Sequence, residues 1–280
     1  MKKTLYISDL DGTLLAPDGT ISPYTKDTLR RLIKKNLLFT IATARNLLAL
    51  QRYINDLSIT IPAIISNGIM IYNFSDNQCL DLQPFPLSYF PLFHMEPLLS
   101  GKSGFLYALK NNQLYLFHRP LKTPAESEYF SSREELYQNR CIECNNFTEL
   151  PTGLIPLYIV YYGSHDEVKQ IQGVINQIPE LHSVLNKDVY CDYYFIDIFS
   201  SNASKEKAIK RLHAMIQADE TVTFGDNYND LGMLKQATRS YVPSNAVEEA
   251  KMIATGVIKG NNEDGVIRFI EQDFPGNIAN

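Results

Sequence analysis

Residues 4–13 read TLYISDLDGT, a short run of strand-forming residues that stops at Asp9-Leu10-Asp11-Gly12-Thr13. A strand throws successive side chains to opposite faces, so Asp9 and Asp11 can converge, and Gly12 lets the chain turn away at the strand's C-terminal end. In a parallel sheet that end is where α/β folds bind ligands. Two carboxylates so close share either a proton or a cation, and magnesium prefers hard oxygen donors. Taken alone, the motif also fits a turn carrying two solvated aspartates.

Working outward, apolar runs recur at 37–42 (LLFTIA) and 63–66 (AIIS), each ending in polar residues. Ser22 as N-cap with Pro23 behind it predicts a helix to about Lys35, and a second helix is expected from about Asn46 to Leu57. Strand, helix, strand, helix, strand implies a parallel sheet. The pattern returns late in the chain, with a helix over 203–216, a strand TVTF at 221–224, a helix to about Gln236, a short strand near Tyr241 and a last helix from Glu263. Between them, strand-like GFLYALK (104–110), QLYLFH (113–118) and LYIVYY (157–162) alternate with helices at about 124–137 and 165–177. The expected fold is α/β, with a parallel-sheet core from 1–81 and 191–280 and an α/β cap inserted at 82–190.

A second acidic motif, GDNYND at 225–230, also follows an apolar strand. If that strand neighbours the first, Asp226 falls near Asp9 and Asp11, and three carboxylates at one sheet edge repel unless a divalent ion sits among them. One of these Asp or Asn residues also suits a helix N-cap. Thr43 in ATAR can offer a hydroxyl to a phosphoryl oxygen, and Lys205 in NASKEKA a positive charge. Each alone is ordinary for a strand end or a solvated first helical turn.

The ordered set DLDGT, Thr43, Lys205 and GDNYND resembles the four motifs of the haloacid dehalogenase superfamily, and most of all its Cof-type phosphatases, whose large α/β cap follows the third strand. SNG at 66–68, SNA at 244–246 and NNEDGV at 261–266 extend the resemblance over essentially the whole chain. It implies a Rossmann-like core and an aspartyl-phosphate mechanism, with Asp9 as nucleophile and Asp11 as general acid and base. Thr43 and Lys205 would steady the phosphoryl group. Asp9, the carbonyl of Asp11 and Asp226 would ligate magnesium, with Asp230 completing the metal site and, with Asn229, supporting Lys205. Thr13, Arg45, Asn67 and Asn229 would lie on the substrate side. Two departures, Ala44 where the family has glycine and Ile69 where it has alanine, put the shape of the pocket in question.

A net charge of −5, from 26 basic and 31 acidic residues without blocks, gives no footprint for nucleic acid. No apolar run approaches a membrane span, so a cytoplasmic enzyme acting on a small phosphate ester is expected. Cys79, Cys141, Cys144 and Cys191 are too few and irregular for a disulfide framework, and the lone CxxC at 141–144 lacks partners for a zinc site. The cap should exclude water and choose substrates, with Lys110, His118, Arg119 and Lys187 as candidate gate residues and the LYIVYY tyrosines as strand core. A phosphomutase, a phosphometabolite-binding protein without turnover and a DxD sugar-nucleotide transferase are the competing readings.

Overall fold

The computed structural model describes residues 2–148, 150–188 and 191–277. In chain order the first segment gives β1 (Thr4–Ser8), α1 (Pro23–Lys34), β2 (Leu38–Ile41), α2 (Leu47–Leu57), β3 (Ala63–Ile65), β4 (Met70–Asn73) and β5 (Gln78–Leu82). The middle gives α3 (Leu92–Met95), α4 (Pro97–Ser100), β6 (Phe105–Lys110), β7 (Gln113–His118), α5 (Pro124–Tyr137), β8 (Cys141–Glu143), β9 (Ile155–Gly163), α6 (His165–Ile175), β10 (Leu181–Lys187) and β11 (Tyr194–Ser200). The last segment gives α7 (Lys205–Ile216), β12 (Glu220–Phe224), α8 (Leu231–Gln236), β13 (Arg239–Pro243), α9 (Glu248–Ile253), β14 (Gly256–Ile258) and α10 (Gly265–Asp273).

The first two helices begin where the sequence predicts. The Ser22 hydroxyl accepts from the Thr25 N–H, Pro23 occupies the first turn, and α1 buries Thr25, Thr28, Leu29 and Leu32. Those positions follow the spacing of one helical face. Asn46 caps α2 in the same way through the Ala49 N–H.

One compact unit comprises Met1–Leu82 and Ser204–Asn280. Its five-stranded parallel sheet has the order β14-β13-β12-β1-β2. Alternation along β1 divides its side chains between two helical layers: Leu5 and Ile7 join Ala208, Ile209 and Leu212 of α7 in one core, and the Tyr6 hydroxyl reaches Asp273 of α10 at 2.8 Å. Strand order runs from β1 to β2 on one side and from β1 to β12 on the other, so β1 stands at the switch point where open α/β sheets form a crevice. In register, Ser8 lies beside both Ile41 and Phe224, which brings the residues after all three strands to one edge.

The third expected strand behaves differently. β3 touches the parallel sheet through a single bridge, Ala42 with Ile64, and forms its ladder with β4 in a separate antiparallel sheet β3-β4-β5. Ser66, Asn67 and Gly68 all have positive φ, which folds the chain back on itself after Ile65. A side chain at Gly68 would stand 2.3 Å from the Ser204 carbonyl oxygen.

The other unit is Gln83–Ala203, with a six-stranded sheet in the order β10-β11-β9-β6-β7-β8, antiparallel except for the β7 and β8 pair. It extends beyond the expected return at 191, because β11 pairs along its length with β10 and β9. Tyr190, the expected last cap residue, lies outside the described residues. Tyr158, Tyr161 and Tyr162 are buried, as strand-core residues should be. Two gate candidates are structural instead. His118 is buried against the Arg119 carbonyl. Arg119, also buried, donates to the carbonyls of Ser103, Phe93 and Leu99 at 2.7, 2.8 and 2.6 Å and to the Tyr161 hydroxyl at 3.2 Å. Those carbonyls come from the short helices and the bend before β6, which no strand partners, so the guanidinium supplies donors that a ladder would otherwise give.

Arg119→Ala takes a donor from each of three carbonyls, Leu99 keeping only backbone donors, and should lower stability by roughly 3–5 kcal/mol in urea unfolding. A loss below about 0.5 kcal/mol, the range of ordinary surface substitutions, would show that this residue is free for another task.

Candidate active site

Asp9 is the first residue past β1, and its N–H donates to the Phe224 carbonyl at 2.8 Å, continuing the ladder for one more step. The chain then winds through Leu10–Leu14 with Asp11 extended (φ −75°, ψ 122°) and Gly12 left-handed (φ 78°). A side chain at Gly12 would lie 2.3 Å from an Asp226 carboxylate oxygen, so only glycine lets the turn after β1 approach the loop after β12 this closely. Thr13 crosses the same gap, its hydroxyl donating to Asp226 Oδ1 at 2.6 Å.

GDNYND folds into a short turn over Tyr228–Asp230, with Asn227 as its cap. Asp230 is fully buried. Its Oδ2 accepts from the N–H groups of Asp226 and Asn227 at 3.0 and 3.2 Å, and its Oδ1 from Lys205 Nζ at 2.7 Å. Lys205 is the first residue of α7, which is capped by Ser204, and its ammonium also donates to Asp9 Oδ1 at 2.6 Å. Asn229 is half-buried within the turn.

One oxygen from each of Asp9, Asp226 and Asp230 fits within 4.8 Å of the others. Lys205 balances one of these three charges, which leaves two negative charges at a buried sheet edge. Burial pushes the Asp9 carboxyl well above the usual carboxylate range, against the opposing pull of Lys205, and repulsion from Asp230 and Asp226 adds to the rise. Burial likewise lifts Asp226, to about 6, against the Thr13 hydrogen bond that favours its charged form. For Lys205 burial favours the neutral amine, but Asp230 and Asp9 overcome it and keep the ammonium. Hard oxygen donors carrying two surplus negative charges fit a divalent cation. Asp230 has both oxygens in hydrogen bonds, one of them to Lys205, whereas Asp9 and Asp226 each spend one oxygen on a side-chain hydrogen bond, Asp9 on Lys205 and Asp226 on Thr13.

The Asp11 carboxylate stands apart from that cluster and is paired with Arg45. Thr43 is fully buried. Its N–H donates to the Ile64 carbonyl, its carbonyl accepts from the Asn67 N–H, and its hydroxyl oxygen accepts from the Arg45 N–H at 3.1 Å. Asn67 is buried with a side-chain carbonyl that has no hydrogen-bond partner, an acceptor awaiting a donor. Neither departure from the family pattern strains the backbone. Ala44 is exposed and is not among the residues with positive φ, so it takes its methyl without strain, and Ile69 is buried with helical φ and ψ. The SNA segment at 244–246, to which the sequence assigns no role, reaches the site: Asn245 Nδ2 donates to the Gly12 carbonyl at 2.8 Å. Asn261 supports it, donating from its backbone to Asn245 Oδ1 and from its side chain to the Leu15 carbonyl. Asn-rich turns signal such caps only weakly, since the partner is more than 200 residues away in sequence.

The family model of haloacid dehalogenase-like hydrolases matches residues 6–270. The 5-amino-6-(5-phospho-D-ribitylamino)uracil phosphatase YwtE of Bacillus subtilis is 26% identical, over 97% of this chain and 98% of its own. The pyridoxal phosphate phosphatase YbhA of Escherichia coli is 24% identical, over 94% and 95%. The crystal structure of a haloacid dehalogenase-like hydrolase from Bacteroides thetaiotaomicron superposes with a TM-score of 0.78 at 21% identity, over 98% of this chain and all of that one.

Gly12→Ala drives a methyl into the Asp226 carboxylate. Affinity for a divalent cation, measured by calorimetry, should fall by roughly 10-fold or more, as when the support of a ligand is lost. Parental affinity in the variant would mean that the turn and Asp226 are not interlocked.

Proposed function

The chain belongs to the haloacid dehalogenase-like hydrolases, and from the geometry at the ends of β1 and β12 we propose that it is a magnesium-dependent phosphatase of small phosphorylated metabolites acting through Asp9. The observation that carries this reading is the Lys205 ammonium held between Asp9 and Asp230 beside Asp226, a site with a nucleophile, a cation position and a fixed positive charge. Phosphoryl transfer asks a protein for this, positioning and charge neutralisation rather than elaborate covalent chemistry.

An Asp9 carboxylate oxygen attacks phosphorus as the ester oxygen leaves and takes a proton from Asp11, giving an aspartyl phosphate and an alcohol. Water then attacks the same phosphorus while Asp11 accepts its proton, and Asp9 is regenerated with release of phosphate. Lys205 and the Thr43 hydroxyl steady the phosphoryl oxygens, Asp230 aims Lys205, and Thr13 aims Asp226. Magnesium, held by Asp9, Asp226 and the Asp11 carbonyl, would supply further charge neutralisation. Asn67, with its unpartnered carbonyl, takes a substrate donor, and Asn229 is assigned to the substrate side of the turn. Substrate choice is assigned to the unit Gln83–Ala203, since the groups gathered in the other unit act on phosphate and not on the alcohol that carries it.

The test is phosphate release from a panel that includes sugar phosphates, pyridoxal phosphate and a phosphorylated ribityl compound, with magnesium and with excess chelator. Release is expected only with magnesium. Asp9→Asn, nearly equal in volume, should fold normally and lose at least about 10³-fold in kcat, because the oxygen nucleophile is gone. Parental turnover in that variant would sink the mechanism, and activity that appears only with an added bisphosphate would mark a mutase.

A further inference from the structure

Both oxygens of Asp11 are taken by one side chain. Arg45 donates from Nε to Oδ2 at 2.8 Å and from a terminal nitrogen to Oδ1 at 2.6 Å, the planar fork in which guanidinium and carboxylate fit best. That arrangement conflicts with the acid and base task given to Asp11, on which this inference rests. A carboxyl that hands a proton to a leaving oxygen, and later takes one from water, needs an oxygen open to that partner.

The fork is built to open. The Asp11 side chain is 53% exposed and that of Arg45 23%, whereas the Lys205 and Asp230 side chains are 1% and 0% exposed. An ion pair facing water is held weakly, because solvent screens it and rewards either partner on release. Arg45 is also tied to the phosphate-handling side of the site through its N–H, which donates to the Thr43 hydroxyl at 3.1 Å. Its guanidinium carbon lies 4.9 Å from the centroid of the Tyr53 ring, a face along which the cation can swing while staying attracted.

We propose that Arg45 is a positioning residue that latches Asp11 in the substrate-free site and is drawn off by the phosphoryl group of an arriving ester, so that Asp11 comes free only once phosphate is bound. A phosphate monoester offers more charge and more acceptor oxygens than a carboxylate, so the exchange runs toward substrate. When phosphate leaves, the fork closes again. Arg45 thereby belongs to substrate binding, as its neighbour Thr43 does, and makes recognition of the phosphate and release of the acid one event.

The test is a crystal structure of the wild-type protein with magnesium and orthovanadate, beside calorimetric affinities of inorganic phosphate for wild type, Arg45→Ala and Arg45→Lys. Arg45 should contact an oxyanion oxygen and lie beyond hydrogen-bond reach of Asp11. Arg45→Ala should weaken phosphate binding roughly 10-fold or more, the scale of a lost charge-assisted hydrogen bond, with Arg45→Lys between the two. In turnover, the loss in Arg45→Ala should fall on KM more than on kcat, whereas a residue that merely braced Asp11 would lower kcat alone. A fork that survives in the oxyanion complex, or phosphate binding unchanged in Arg45→Ala, overturns the latch. The vanadate complex and the phosphate affinities need no turnover, so silence across the ester panel would count against the phosphatase reading, while the latch stands or falls on binding alone.

Discussion

The Lys205 ammonium sits out of water with Asp9 on one side and Asp230 on the other. Removing such a charge from solvent costs several kcal/mol, and only well-placed partners offset it. Those partners come from the end of β1 and the turn after β12, so the two strands must be neighbours and α7 must begin beside them. Ser204 meets the last demand by capping α7 at the residue before Lys205. The same arrangement leaves negative charge in excess at Asp9 and Asp226, and the readiness of the site for a divalent cation follows from that imbalance.

Around this centre the chain uses small, directional contacts to fix the turn after β1. Gly12 permits the approach to Asp226, Thr13 closes it with a hydrogen bond, and Asn245 braces the Gly12 carbonyl from the far end of the sequence. The start of α7 has its own support from the β3 to β4 turn, where Gly68 lies against the Ser204 carbonyl and Arg211 joins the Gly68 carbonyl to Asp81. None of these contacts is strong alone. Together they hold the turn after Asp9 in one place, the kind of positioning on which the proposed phosphoryl transfer depends.

Two arginines of the same chain show how surroundings assign work to one residue type. Arg119 is buried, its donors are spent on main-chain carbonyls, and its loss is a matter of folding. Arg45 is partly in water and spends its fork on the Asp11 carboxylate, which the proposed mechanism needs free. Neither assignment follows from residue type, since both follow strand ends and both stand beside polar neighbours.

The sequence by itself determined many of the elements and the residue types that meet at the site. Alternation and helical spacing placed β1, β2, α1, α2 and α7 close to their observed bounds, because those patterns are local. The acidic motifs at Asp9, Asp11, Asp226 and Asp230 and the cation at Lys205 were equally visible, since residue type carries their chemistry. Tertiary structure alone decided which of them meet. It paired Asp11 with Arg45, joined Asp230 to Lys205 and to the Asp226 N–H, sent β3 into an antiparallel sheet, and extended the middle unit through Ala203. Each of those outcomes depends on hydrogen-bond partners far away in sequence, and a spacing rule that sees one strand or one helix at a time holds no information about them.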